Sequence, residues 1–374
     1  MIPPAHTPEF TRLLSLHIAR DRERRRAIRP IAGDRKWWLD ADAGALVIGT
    51  ARYPAQYLGS ESWDTQDWTW AWSNHAGLPP ALLADAGRCR ELGVKLNIRA
   101  FSRPAFPRKD IPAAYLAAIA CGLAGGDGWY AGITNTRRGP GPATGIGVNY
   151  FVIHDPALRK EDRSPKNIIA TFSAVVQVDP VDERAAWIAY LTAKGYTIEN
   201  HDDSAGFLSR GTSPEGGLVV GRFDAQGRAI NLAAPGDRPR PPPDDTARNT
   251  VLARVRDYIA EKLAWEESEE SYGDISDEKF RATHDRILAA HATHNARANR
   301  AGLSVQHPSQ FRNVTVSDTC CFINHDRAIV VTRHRSQDRT NLNEFILKPE
   351  DGTWRIDQRR AVYQDGDAPI TVGV

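Results

Sequence analysis

The sequence has no surplus of charge of either sign. Its 374 residues carry 48 lysines and arginines against 46 aspartates and glutamates, for a net charge of +2. An obligate nucleic-acid-binding protein normally carries a clear basic excess. The near balance therefore argues against nucleic acid as a partner, and the length suits two or three domains rather than one core.

Cysteine is scarce and follows no metal or disulfide pattern. The four cysteines are Cys89, Cys121, Cys320 and Cys321, and none of them belongs to a CxxC pair. On a strand, the adjacent Cys320 and Cys321 would point to opposite faces, which suits neither a disulfide nor a shared metal. We expect reduced, mostly buried thiols, as in a reducing cytosol.

Long apolar runs and export signals are lacking as well. No uninterrupted apolar stretch approaches the roughly 18 residues that a membrane span needs. The segment after Met1 reads as a helix followed by DRERRRAIR, without the apolar centre of a signal peptide. We expect a cytoplasmic protein without a membrane partner.

Short catalytic motifs are missing too. The glycine-rich segment 136–145 has neither the lysine of a phosphate-binding P-loop nor GxGxxG spacing, and no GxSxG or HExxH occurs. Many enzymes lack such motifs, so the absence is a weak argument against catalysis. Nothing in the pattern requires a cofactor or a metal.

Tryptophan, in contrast, is crowded into one place. Six of the ten tryptophans fall between Trp37 and Trp72. Trp68, Trp70 and Trp72 alternate with small residues, which is the period of a strand with one indole face. We predict that this face is the core of the first domain, because each indole buries a large area. The alternative is an exposed platform that stacks sugars or bases.

The first helix has an apolar face and an arginine-rich end. Thr7 and Pro8 provide a start signal, and the apolar stripe continues to about Ala27. Arginines at 22, 24, 25 and 26 either cover the helix end, where cations suit the macrodipole, or form a patch for an anionic partner.

Turn signals and composition divide the chain into four segments. Residues 1–155 form a Trp-rich α+β domain, and 156–233 read as a β-α-β-β-β unit packed on it, beginning with a strand at Ala170–Val178. Segment 234–246 is a proline-rich linker, and 247–374 holds two long helices followed by strands. The pattern predicts an α+β protein: a mixed α/β N-terminal region with an antiparallel sheet, then helices on a second antiparallel sheet.

The N-terminal segment resembles a bacterial family of unknown function. The motif consists of Leu58-Gly59-Ser60, the Trp-rich strand ending at Asn74, and then Leu78-Pro79, with a later helix and glycine-rich turn before Trp129-Tyr130. The resemblance covers roughly residues 10–155. It implies no particular chemistry.

The C-terminal segment, 247–374, resembles the NTF2-like fold, and in particular the immunity proteins of bacterial polymorphic toxin systems. The residues that carry the resemblance are EFILKPEDGTWRIDQR, from Glu344 to Arg359. The resemblance implies helices packed on a curved antiparallel sheet that forms a cone. Some relatives are enzymes with an Asp/His pair in the cone, whereas others only bind.

Histidines on the second long helix are the best catalytic candidates. His284 and His291 share a face with apolar residues, and Asp285 or Asp357 could pair with one of them for acid–base work. His291 and His294 could instead hold a metal with His325 or His334, but no ligand-spaced motif supports this. Structural histidines, hydrogen-bonded in or beside a core, are the third possibility.

An acidic run suggests a binding role. Residues 261–278 read EKLAWEESEESYGDISDE. This run is either a solvated helix end or a docking face for a basic partner. The function predicted first is an immunity-type protein that neutralises a cognate, basic toxin by direct contact, and the alternative is an enzyme using His284 and His291 in the cone. The candidate contact residues are Trp265, Glu266, Glu267, Glu269, Glu270 and Tyr272.

Overall fold

The computed structural model describes most of the chain, with gaps between the described segments. These segments are residues 7–32, 36–73, 77–107, 110–135, 146–159, 162–176, 179–203, 206–234, 243–268, 278–298, 309–336, 339–362 and 370–372. By its internal contacts the chain divides into two compact units. The first unit is 1–167 with 180–196, and the second is 168–179 with 197–374.

Side-chain caps mark the start of two helices of the first unit, and the cap at Thr7 is the one that the sequence predicts. The hydroxyl of Thr7 accepts a hydrogen bond from the backbone N–H of Phe10 at 3.2 Å, and Asp182 caps another helix by accepting from Ala185 at 2.9 Å. The helices of this unit are α1 Pro8–Ala32, α2 Ala84–Lys95, α3 Arg99–Ser102, α4 Ala113–Leu123 and α6 Glu183–Ala193, while α5 Pro165–Phe172 crosses the unit boundary.

A seven-stranded antiparallel sheet lies in the first unit. Its strands are β1 Trp37–Asp40, β2 Ala45–Ile48, β3 Ala51–Ser62, β4 Asp67–Trp70, β5 Ala105–Pro107, β6 Gly128–Asn135 and β7 Ile146–Ile153. The pairing runs from β1 to β5 in order, while β7 pairs with β3 and β6 pairs with β7. Helix α1 packs against α4, α6 and β6 through its apolar stripe, which includes Phe10, Leu14 and Ile18.

The tryptophans of β4 lie in the core of this unit, as the alternation predicts. Trp68 and Trp70 are 1% and 0% exposed, and their rings meet edge to face at 5.2 Å. The indole nitrogen of Trp70 donates to the carbonyl of Ala100 at 2.7 Å. Gly59 of the LGS motif is required by close packing, since a Cβ there would lie 2.4 Å from the carbonyl oxygen of Thr69 on β4.

Two local predictions are wrong. Trp72 does not continue the strand, because Ala71–Ser73 forms a 3₁₀ helix that turns its indole toward the guanidinium of Arg90, 4.7 Å away. The predicted strand at Ala170–Val178 is replaced, over the described residues, by α5 and a turn. The start of α5 explains this, since Ser164 caps the helix by accepting from Asn167 and Pro165 occupies its first position.

Over its described residues, the second unit contains a ten-stranded sheet and three further helices. The strands are β8 Thr197–Asp203, β9 Gly206–Thr212, β10 Leu218–Phe223, β11 Ala229–Ala233, β12 Val314–Val316, β13 Cys321–Ile323, β14 Arg327–Ser336, β15 Arg339–Glu350, β16 Thr353–Val362 and β17 Ile370–Val372. The helices are α7 Asp245–Glu266, α8 Glu278–His291 and α9 His294–Ala298. The coarse prediction of an α+β protein with antiparallel sheets is confirmed.

A short parallel pairing joins the two halves of this sheet. Asn231 and Leu232 on β11 pair with Phe322 and Ile323 on β13, whereas the other pairings of the sheet are antiparallel. Strands β8 to β11 therefore share one sheet with the C-terminal strands, although the sequence predicts that segment 156–233 packs on the first domain. The linker predicted at 234–246 lies mostly outside the described residues, and α7 already begins at Asp245.

We expect the substitution Trp70→Ala to destabilise the first unit by about 3–5 kcal/mol, because it removes a fully buried indole and its hydrogen bond. Trp63→Ala is the matched control, since the Trp63 side chain is 38% exposed. Urea unfolding followed by circular dichroism measures both variants. Equal midpoints for the two variants would contradict an indole core.

Candidate functional site

The residues predicted for partner binding do not all lie on the surface. Trp265 and Glu266, at the end of α7, are only 5% and 0% exposed. Glu267 is exposed and accepts a hydrogen bond from the guanidinium of Arg312 at 2.7 Å. Glu269, Glu270 and Tyr272 lie outside the described residues. The expectation that Trp265 and Glu266 form part of an exposed face is thus corrected.

The buried face of α7 explains their position. Val251, Val255, Tyr258, Lys262 and Glu266 follow one another at helical spacing and are all buried. The same face that packs Val251 and Val255 into the core also carries two charged residues one turn apart. The end of the acidic run therefore enters the interior instead of facing water.

Lys262 and Glu266 form an ion pair inside the second unit. The lysine nitrogen lies 3.8 Å from a Glu266 oxygen and 4.2 Å from the ring centre of Trp265. The hydroxyl of Ser309 donates to the other Glu266 oxygen at 2.6 Å. Burial lowers the pKa of Lys262 to about 8, and the Glu266 carboxylate opposes this shift. The carboxylate therefore offsets only part of the desolvation of the ammonium.

Arg359 on β16 adds a second buried cation. Its guanidinium donates to Gln310 at 2.7 Å and to Asn343 at 3.4 Å, and lies 5.0 Å from the ring centre of Phe311. Burial lowers the pKa of Arg359, and the nearby Tyr258 and Glu266 oppose the shift. Burial likewise raises the pKa of the Tyr258 phenol.

The two candidate histidines are buried and hold different partners. His284 lies against Trp265, with ring centres 4.9 Å apart and planes inclined by 33°, and its Nδ1 lies 3.9 Å from Asp285. His291 forms a hydrogen bond with Glu261 at 3.0 Å and contacts the ring of Tyr258. These contacts are typical of histidines that support a core.

Asp357 has its own set of partners. It accepts from the hydroxyl of Thr293 at 3.1 Å and pairs with the Lys348 ammonium at 2.7 Å. The contacts of Asp357 therefore differ from those of His284 and His291. In the part of the chain that the structure describes, no group of three histidine, cysteine or acidic residues could hold a metal ion. The alternative in which His291 and His294 bind a metal ion therefore has no support within the described residues.

Aromatic rings pack between α7 and the sheet. Tyr258 meets Phe311 and Phe345 edge to face, each at 5.9 Å between ring centres. Phe322 and Trp354 form another contact at 5.5 Å. The interior at this level is a packed core with embedded ion pairs.

A cleft of about 200 Å³ lies in the first unit, beside the arginine-rich part of α1. Five basic and three acidic side chains line it, together with Asn167 and apolar residues. The charged residues are Arg20, Arg24, Arg26, Arg159, Lys194, Glu23, Asp127 and Asp162.

Lys194 and Glu23 form the buried wall of this cleft. Lys194 is 4% exposed, and its ammonium lies 2.8 Å from a Glu23 oxygen. The same oxygen accepts from the side-chain amide of Asn167 at 2.8 Å. Lys194 follows the end of α6, where a cation also suits the helix dipole.

The remaining acids of the cleft also have donors. Asp127 pairs with Arg159, and Asp162 accepts from the backbone N–H of Ser164 at 2.8 Å. That backbone bond is the first cause that lowers the pKa of Asp162. The arginines of α1 differ among themselves: Arg25 lies 4.1 Å over the ring of Trp129, away from the lining residues, and Arg24 donates to the Cys121 sulfur at 3.6 Å.

All four cysteines are buried and reduced, as the sequence predicts. Burial raises the pKa of the Cys89, Cys121 and Cys320 thiols to about 12. These thiols are therefore protonated near neutral pH and are poor nucleophiles and metal ligands.

Comparison with known protein families matches the N-terminal part of the chain. Residues 11–156 match the sequence profile of a family of unknown function, DUF6882. This agrees with the N-terminal resemblance inferred from the Trp-rich motif. No curated protein matches the chain, and no solved structure does. Over the described residues, no helix combines the length and the apolar character needed to cross a membrane.

Sequence reasoning did not find the two buried ion pairs. The signal for Lys262 and Glu266 was present, because the apolar period of α7 from Val251 continues onto them. Glu23 and Lys194 are 171 residues apart and meet only through the packing of α1 against α6. No local pattern marks such a pair.

We expect NMR titration of Lys262 to show a midpoint near pH 8, well below the lysine value of about 10.4 in model peptides. Glu266→Gln should lower the midpoint further, because it removes the carboxylate that favours the ammonium. Between about pH 8 and 10.5 the unfolded chain binds more protons at this residue, so the contribution of Lys262 to stability rises with pH. An unshifted midpoint would contradict the burial of this lysine.

Glu23→Ala should destabilise the first unit by about 3–5 kcal/mol, because it leaves the Lys194 ammonium buried without its carboxylate. Glu91→Ala is the control, as Glu91 is exposed on α2. Urea unfolding at pH 7 measures both variants. A Glu23→Ala variant as stable as the control would show that the pair is not needed.

Proposed function

We propose that the protein is an immunity-type binding protein that neutralises a cognate bacterial toxin by direct protein–protein contact in the cytoplasm. The observation that carries this proposal is that the ionisable side chains that could perform catalysis contact neighbouring side chains within the core. In the second unit Lys262 pairs with Glu266, His291 with Glu261, and His284 stacks on Trp265. Side chains held in this way support a scaffold, which leaves recognition to its outer surface.

The proposal includes an NTF2-like cone for the C-terminal region. The order of the elements supports it, since long helices precede an antiparallel sheet whose strands β14, β15 and β16 pair in sequence. Helix α7 packs on β14 and β16. Aromatic side chains around Tyr258 pack between this helix and the sheet, which favours binding on the outside over binding within.

The contact residues we propose are Glu267, which is exposed, and Glu269, Glu270 and Tyr272, which lie outside the described residues. Trp265 and Glu266 act from inside: the stack on His284 and the bond from Ser309 hold the end of α7 in place. These buried contacts hold the neighbouring contact residue, Glu267, in one position. An acidic surface steers a basic toxin electrostatically and speeds association.

The second candidate is an enzyme acting on a small molecule through His284 and His291. It has less support, because His284, His291 and Asp357 have separate partners in the second unit. Catalysis would require these contacts to rearrange upon substrate binding.

The triple substitution Glu267→Lys, Glu269→Lys and Glu270→Lys tests the docking surface. We expect at least about tenfold weaker binding to the toxin encoded beside this gene, because attraction becomes repulsion. The dependence of affinity on salt should also flatten. Biolayer interferometry at several salt concentrations measures both effects.

The control for this experiment is Asp257→Lys, which reverses an exposed acid earlier on α7. It should leave the affinity close to that of the parent protein. Unchanged affinity and salt dependence in the triple variant would place the toxin contact elsewhere, and no binding by the parent protein would contradict the immunity function itself.

A further inference from the structure

The arginine-rich part of α1 has a specific position in the first unit. Arg20 and Arg24 lie one helical turn apart and line the cleft, and Arg26 adds a third guanidinium. Arg25 instead lies over Trp129. Hence the arginines do more than cover a helix end, since one supports the core and three surround a cavity.

The charges of the cleft are unequal. Its lining holds five basic and three acidic side chains, so the formal charge is positive by two. The acids have close partners within the unit: Glu23 binds Lys194, Asp127 binds Arg159, and Asp162 accepts from the backbone of Ser164. Arg20, Arg24 and Arg26 of α1 contribute three of the five positive charges of the lining.

Arg24 has a poor acceptor in the structure. Its guanidinium donates to the Cys121 sulfur at 3.6 Å, and a thiol is a weak acceptor compared with an anionic oxygen. The arginines also act on His17, which lies one turn before Arg20 and two turns before Arg24 on the same helix. Burial lowers the pKa of His17 to about 4, with smaller contributions from the positive charges of Arg24 and Arg20. His17 is thus neutral near pH 7 and leaves the arginines as the cations of this face.

The size and charge of the cleft indicate the class of ligand. Its volume of about 200 Å³ is below the 300–1,000 Å³ of typical drug-sized sites, which favours a small molecule. A phosphate monoester carries about −1.5 to −2 charges at pH 7 and so matches the excess of two, whereas a carboxylate carries only one. Guanidinium groups also bind phosphate oxygens in a bidentate manner.

We propose that this cleft of the first unit binds a small ligand through a phosphate group, with Arg20 and Arg24 as the principal contacts and the Lys194–Glu23 pair as the rigid wall behind them. The inference concerns a different unit from the proposed toxin contact and does not depend on it.

Isothermal titration calorimetry of the full chain with inorganic phosphate tests the proposal. The titrations are run at pH 7.5, with the ionic strength held constant by sodium chloride, and are repeated with acetate. We expect saturable binding of phosphate to the parent protein and at least about tenfold weaker binding to Arg24→Gln, which loses a charge-assisted hydrogen bond. Acetate should bind at least about tenfold more weakly than phosphate.

Two further variants make the test decisive. Arg12→Gln removes the same charge from an exposed position on the same helix and should bind phosphate like the parent. Arg20→Gln should weaken binding as Arg24→Gln does, and it decides the matter if the latter fails to fold. The proposal is overturned if the parent shows no phosphate binding, if Arg12→Gln and Arg20→Gln weaken it equally, or if acetate binds as tightly as phosphate.

Discussion

A charge that leaves water needs a partner, and this constraint governs the interior of both units. In the first unit the Lys194 ammonium is held by Glu23, and in the second the Lys262 ammonium is held by Glu266. Removing either partner would leave an uncompensated charge in a medium of low polarity, where the penalty amounts to several kcal/mol. The first pair joins α1 to the end of α6. Lys262 and Glu266 both lie on α7, and the hydrogen bond from Ser309 to Glu266 connects the end of this helix to another part of the chain.

Because buried charges need partners, charged residues in the core serve the structure, and exposed charged residues remain for recognition. Glu266 belongs to the acidic run by sequence but to the core by position, whereas its neighbour Glu267 faces solvent. On α1, Arg25 serves the packing of Trp129, while Arg24 faces the cleft. A charge run is thus divided by the helical period into residues with different tasks. Composition alone could not make this division.

Local patterns predicted much of the fold, and the failures have identifiable causes. The period-two alternation correctly placed Trp68 and Trp70 in the core, but it did not reveal that the chain turns into a 3₁₀ helix before Trp72. The charge of the acidic run favours a solvated face, whereas the helical spacing from Val251 indicates that Glu266 is buried. The Glu23–Lys194 pair could not be predicted, because it forms between segments far apart in sequence. The Trp-rich motif predicted a resemblance to a family of unknown function, and residues 11–156 match such a family.

The parallel pairing of β11 with β13 has a practical consequence for dissecting the chain. Asn231 and Phe322 are partners across this junction, so the proline-rich segment between β11 and α7 connects two parts of one sheet. A truncation there would expose the backbone of an edge strand on each fragment, and such edges promote aggregation. Fragments for expression should therefore keep both segments of the second unit, 168–179 and 197–374, together. Poor solubility of a piece starting near residue 247 would reflect the cut rather than an inability of the sequence to fold.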